Sequence, residues 1–216
     1  KIAGLKTGEW HVVDDPAMDF YESLKDEEGI TVVVNRPGKL SSVVPHMKSS
    51  PSDNMILRQA VQASIDVNDY MTALVGNKAL WALCPSLFFC YHAAEITSGN
   101  SDAPRGDFTQ YYNEADKERA KELVAESGYD GEEWLHLNAN DYGTLTPLGP
   151  IFKRDLEDIG INVSMPGMDW STVTSYIFDA KNMEWNTFSN WGSYGFQHNP
   201  LFNGYINTKA PFHHYE

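Results

Sequence analysis

The sequence predicts an α/β domain, a layered sheet with flanking helices, and three observations predict it. Short runs rich in β-branched and aromatic residues alternate with stretches whose apolar positions recur at helical spacing. Most of those stretches open on a capping Asp or Asn, or on Gly-Pro, and most close on a glycine. Strands separated by helices, rather than grouped together, are the pattern of a layered α/β sheet.

In chain order, Leu5 to Gly8 end a helix at a glycine, and residues 10–13 are strand-like. Asp14 and Asp15 before Pro16 place a capping acid and a first-turn proline at the start of a helix running to Asp26. The β-branched run 30–34, between Gly29 and Pro37, is a strand, and residues 40–47 carry a weaker strand signal. Asp53 or Asn54 caps a helix with Leu57, Ala60, Val61, Ser64 and Ile65 on one face. Asp66 caps a shorter helix carrying Tyr70, Met71, Leu74 and Val75, stopped by Gly76. Residues 77–112 are irregular, with a polar exposed loop at 98–107. Asn113 caps a helix that puts Ala120, Leu123 and Val124 on one face and ends at Gly128. Residues 134–139 alternate like a half-buried strand, and Gly149-Pro150 opens a helix through Leu156 and Ile159 to Gly160. Residues 161–165 form a strand, Asp169 caps a helix through Tyr176, Ile177 and Ala180, and residues 184–190 form the last strand.

Composition narrows the functional classes. The chain has 216 residues, enough to bury a core, and 42% are hydrophobic, so it is globular rather than disordered. Its net charge of −14 repels phosphate backbones and anionic lipid heads, which argues against nucleic acid and membrane-surface partners. No apolar run reaches the roughly 18 residues of a membrane span. The chain starts at Lys1 without a Met or a signal-peptide core and reads as one entered midway. Cys84 and Cys90 flank an apolar stretch with no ligand at zinc-like spacing; two buried thiols or a local disulfide both fit.

Catalytic signatures are lacking: no GxSxG elbow, P-loop, GxGxxG after a strand, or HExxH. Asp14-Asp15 and Glu132-Glu133 sit at a helix start and a turn, where capping and solvation account for them. His213-His214 are adjacent near the end of the chain and read as an exposed tail rather than a metal site. No cofactor or metal is expected. The aromatic clusters carry more. Trp81, Phe88, Phe89 and Tyr91 crowd the irregular segment, and Trp185, Phe188, Trp191, Tyr194 and Phe196 crowd the last strand and the residues just beyond it. Core packing accounts for Trp185 and Phe188. From Trp191 onward aromatics alternate with small residues beyond the carboxyl end of a strand, where open α/β sheets bind ligands.

Six segments, in order, resemble the peptide/nickel-type solute-binding proteins of ABC importers (family 5). Leu5-Lys6-Thr7-Gly8-Glu9, with the strand and Asp-Pro helix after it, is similar to that family's LxxGExD segment. Leu57-Arg58-Gln59-Ala60-Val61-Gln62-Ala63-Ser64-Ile65-Asp66 resembles its VRQALxxAID helix, the most specific match. Ala120 to Tyr129 resembles AKxLLxEAGY, Phe152 to Val163 resembles QLxxIGIxV, and Asp169-Trp170 matches xDWxxY. The strand ending at Trp191 matches xxxGW.

The resemblance implies a periplasmic-binding-protein-like lobe, residues 1–216 being the second lobe of a two-lobed protein that closes on its ligand. It implies a periplasmic or extracellular location, with or without a lipid anchor, and a permease partner. The first lobe of the same parent chain would supply the other half of the cleft. The implied ligand-binding residues are Trp191, Gly192, Ser193 and Tyr194, with Phe88 and Phe89 near the family's Pro-Pro…Trp-Gly-Tyr cleft loop. Peptide-binding members place an Asp three residues after the strand-end Trp, to hold the peptide's amino group. Tyr194 stands there, and residues 191–203 contain no acid. A neutral phenol cannot supply that charge, so the solute could be a peptide held otherwise, a sugar, an opine-like compound or a metal chelate. A ligand-sensing domain of a regulatory protein on the same fold is the alternative, and an enzyme would need a nucleophile–base pair.

Overall fold

The computed structural model describes residues 1–14, 16–34, 39–81, 115–179 and 184–193, with the backbone alone at 39–41 and 193. Its centre is a sheet of five strands: β1 (Lys39–Pro45), β2 (Trp134–Ala139), β3 (Val163–Ser164), β4 (Gly167–Met168) and β5 (Thr187–Ser193). The order is β1-β5-β2-β3, with β4 also on β2. β2 pairs parallel with β3, β4 and β5, whereas β1 pairs antiparallel with β5. Pro166, which has no N–H for a ladder, separates β3 from β4.

Four of the seven described α-helices start on a side-chain cap. α1 (Ile2–Lys6) is followed by a 3-10 turn (Met18–Phe20) and α2 (Tyr21–Leu24). In α3 (Met55–Ser64), Asn54 rather than Asp53 is the cap, its Oδ1 accepting from the N–H groups of Ile56 and Leu57 at 3.0 and 3.2 Å. Asp66 caps α4 (Val67–Leu74), and Gly76 follows it at φ 72°. The cap of α5 (Lys117–Ser127) is Asp116, which accepts from Arg119 N at 2.9 Å; the expected Asn113 lies outside the described residues. α6 (Leu148–Glu157) begins one residue before the expected Gly149, and Asp169 caps α7 (Trp170–Phe178) as expected.

Side chains alternate across β2, so the sheet carries a core on each face. Trp134 faces a cluster built from α3, α4, α5 and α6: Leu57, Ala60, Tyr70, Leu123, Phe152 and Leu156. Leu137, Ala139 and Phe188 face the other cluster, with Val173 and Ile177 of α7 and with Trp185. β2 is thus covered on both sides, not half-buried as its alternation suggests. Each fully buried large side chain here is worth roughly 1.5–3 kcal/mol of transfer free energy.

The amino-terminal segment departs from expectation. The strand-like runs 10–13 and 30–34 belong to no strand, and the helix expected from Pro16 to Asp26 shrinks to the 3-10 turn and α2. Ala17, not Asp14, is the residue before that turn, and it makes no side-chain cap. Glu132 and Glu133 are exposed in the turn before β2, where Glu132 accepts from Ser50 Oγ at 3.1 Å.

Candidate ligand-binding edge

Because β2, β3, β4 and β5 run parallel, their carboxyl ends share one edge of the sheet. Antiparallel β1 brings its first residue to the same edge, Lys39 lying opposite Ser193. This is the edge at which open α/β sheets gather ligands.

Trp191, Gly192 and Ser193 are the last positions of β5, opposite Ser41, Leu40 and Lys39. They are strand, not the loop expected after residue 190, because β1 continues to pair through Lys39 and carries β5 with it. Trp191 and Gly192 are half-buried, and the indole packs against the helical cluster. Tyr194, Phe88 and Phe89 lie outside the described residues, as do Cys84, Cys90, His213 and His214.

Below Trp191 runs a buried polar ladder that local patterning missed. On the same face of β5, Thr187 and Ser189 are 2% and 1% exposed, and His136 of β2 is fully buried between them. His136 Nδ1 lies 2.9 Å from Thr187 Oγ1, and Nε2 lies 3.1 Å from Ser189 Oγ. Trp134 Nε1 donates to Thr187 Oγ1 at 2.9 Å. One directional chain uses three donors in turn: indole to Thr187 hydroxyl, that hydroxyl to Nδ1, and Nε2–H to Ser189. The imidazole stacks 4.5 Å from the Phe152 ring. Burial pushes its pKa down to about 3, so it is neutral. The available signal was polar side chains at every second position of two apolar strands, Trp134-His136 and Thr187-Ser189.

A hydroxyl within reach of an imidazole has the outline of an activated nucleophile. Here Ser189, Thr187 and His136 are sealed under the sheet, and no carboxylate contacts the ring among the described residues, so the set positions β5 rather than attacking a substrate.

Two further devices hold the sheet, one at each end of its strands. Asn186, just before β5, accepts from Leu135 N at 2.7 Å and donates to Ser50 O at 2.9 Å and Ser52 Oγ at 3.1 Å, stapling the segment before α3 to the sheet. At the carboxyl end of β2, Asp141 Oδ1 accepts from Trp170 N at 2.8 Å, and the Tyr142 ring lies 5.4 Å from that of Trp170. Tyr142 is 37% exposed, an aromatic at the carboxyl edge that the aromatic clusters of the sequence do not include. No group of three His, Cys, Asp or Glu residues could hold a metal ion among the described residues, and no described helix is long and apolar enough to cross a membrane.

Comparison with known proteins matches this architecture. Residues 1–210 match the family described as bacterial extracellular solute-binding proteins, family 5 middle. A probable peptide ABC transporter periplasmic-binding protein of Sinorhizobium fredii is 25% identical over 177 residues, covering 81% of this chain and 32% of the relative. The crystal structure of the ABC transporter substrate-binding protein CtaP of Listeria monocytogenes superposes with a TM-score of 0.74 at 17% identity, over 98% of this chain and 41% of CtaP. DppA of Helicobacter pylori, solved with the peptide STSA, superposes with a TM-score of 0.66 at 18% identity, over 93% of this chain and 36% of DppA. The two structures show a shared fold, and the chain spans between about a third and two fifths of the length of these three relatives. By the family match, carried over nearly its whole length, the chain belongs to the family 5 bacterial extracellular solute-binding proteins.

Proposed function

We propose that the chain acts as the second lobe of an ABC-importer solute-binding protein, in the periplasm or at the cell surface, and binds its solute without transforming it. The first lobe of the same parent chain closes the cleft, and the closed form docks on the membrane permease. Ligand binding works by favouring that closed form. One observation carries the reading: Trp191 lies in the last three positions of a central strand, near the carboxyl edge, held from beneath by an uncharged polar ladder.

In this reading Trp191 stacks on the solute, Gly192 and Ser193 offer backbone groups, and Tyr194, Phe88 and Phe89 complete the wall. The relatives from Sinorhizobium and Helicobacter support a peptide-like solute. Tyr194 in place of an acid favours one held without a charged contact to a free amino group, or a sugar or metal chelate instead.

The test is a thermal-shift screen of the full-length parent against peptides, sugars and metal chelates, since a ligand of the folded form raises the midpoint. One class raises the midpoint, and Trp191→Ala weakens its binding on the order of 10-fold or more. Turnover of the solute, or unchanged affinity in Trp191→Ala, would falsify the proposal.

A further inference from the structure

Among the described residues Asp155 is the one buried carboxylate, its side chain 1% exposed. It lies where three helices meet. From its own helix, α6, Arg154 donates to Asp155 Oδ1 through Nε at 3.1 Å and through Nη2 at 2.8 Å. The same Nη2 donates to Asp69 Oδ2 of α4 at 2.9 Å, so one guanidinium is divided between two carboxylates on two helices. From α5, Lys117 Nζ lies 3.8 Å from Asp155 Oδ1 and is ion-paired with Asp158, just past α6. Tyr70 of α4 also faces the carboxylate: burial, and after it the Asp155 charge, push its phenol pKa up, so it stays neutral. Asp155 Oδ2 and Tyr70 Oη are both sealed from solvent without a hydrogen-bond partner.

Two effects oppose each other at Asp155. Burial disfavours its charge, while Arg154 and Lys117 favour it. Burial is the larger, and it holds the carboxyl above its ordinary value. The unpartnered Oδ2 agrees with this. A carboxylate leaves that buried acceptor unmet, whereas the neutral acid carries a proton on it. Arg154 stays charged throughout, and once Asp155 is neutral its remaining carboxylate is Asp69 on α4.

We propose that Asp155 is a proton-binding site that sets how firmly α4 is clasped to α6: in mild acid its carboxyl takes up a proton on Oδ2, and Arg154 then pairs with Asp69 alone. The folded chain holds this proton more tightly than the unfolded chain does. The group therefore adds stability in acid and loses it as pH rises through the folded pKa. Exposed ion-paired carboxylates such as Asp158, whose pKa Lys117 lowers, run the other way. No residue of the proposed ligand site takes part, so either reading can fail alone.

The test is amide exchange of α4 in the full-length parent, corrected for intrinsic rates and taken relative to α3. Protection of α4 rises on the order of 3-fold between about pH 7 and about pH 4 in the wild type. In Asp155→Asn, a neutral stand-in for the acid, α4 is equally protected at both pH values. In Asp69→Ala, at a half-exposed site, it is weakly protected at both. A carboxyl-carbon titration places the Asp155 midpoint above about 3.9. Protection in the wild type that stays level or falls in acid, a rise that persists in either variant, or a midpoint at or below the ordinary value each overturns the clasp. Should Asp155→Asn fail to fold, the wild type and Asp69→Ala decide the matter.

Discussion

Residues 30–34 and β1 invert what local composition leads one to expect. The first run contains Thr31, Val32, Val33 and Val34 and has a higher strand propensity than β1, which contains two serines and a proline. Yet β1 is the strand. The difference is the neighbour: β1 finds β5 and pairs along all seven of its residues, while 30–34 finds no ladder. Propensity describes how well a residue fits a pleated, half-covered surface, and it decides little until the rest of that surface exists.

The contrast is broken most forcefully in the body. Trp134→Ala removes a fully buried indole and the donor to Thr187, and it costs about 3–5 kcal/mol. Phe20→Ala, at a 41% exposed site in the amino-terminal segment, costs under about 1 kcal/mol in residues 1–216. Urea unfolding of both variants checks the pair; equal losses would mean that the segment is as well packed as the sheet.

Acid provides the next largest effect. His136 titrates near pH 3 in the fold, against about 6.5 when unfolded, because burial disfavours its charged form. Above pH 6.5 the group is neutral in both states and the fold keeps its full stability. As pH falls below 6.5 the unfolded chain takes up a proton that the folded chain refuses. Stability therefore declines by up to about 1.4 kcal/mol per pH unit until pH 3 is reached. Carboxylates contribute in the same direction, so the measurement is the difference in slope between the wild-type chain and His136→Gln. Parallel slopes would mean that the site is open to water.

The smallest effect concerns a helix end. Asn54→Ala removes the α3 cap and a 2.9 Å bond from Nδ2 to Ser127 O at the end of α5, and costs about 1 kcal/mol in thermal or urea unfolding.

What was legible in the sequence was local. Asp66 and Asp169 were readable as caps, and Gly76, Gly128 and Gly160 as stops, because a cap and a left-handed residue act within one turn. Strand boundaries were not, because partners set them. β5 starts at Thr187 and reaches Ser193 where the pairing with β1 runs, not where apolar residues begin and end. Trp191 could be picked out as an aromatic at a strand end. His136, Thr187 and Ser189 could not be joined, because their bonds exist only once β2 and β5 lie side by side.

The position of β5 has a temporal consequence. The strand joining β1 to β2 is the last of the described strands of the sheet to leave the ribosome, and it pairs with the first of them. Until then β1 and β2 have no common strand between them, and the bonding edges that will meet β5 stand open. Such non-local closure slows folding and prolongs exposure of unpaired backbone. Translation or export that pauses before residue 187 therefore leaves a sheet split in two, a form that a holding chaperone or a protease would recognise before any solute could.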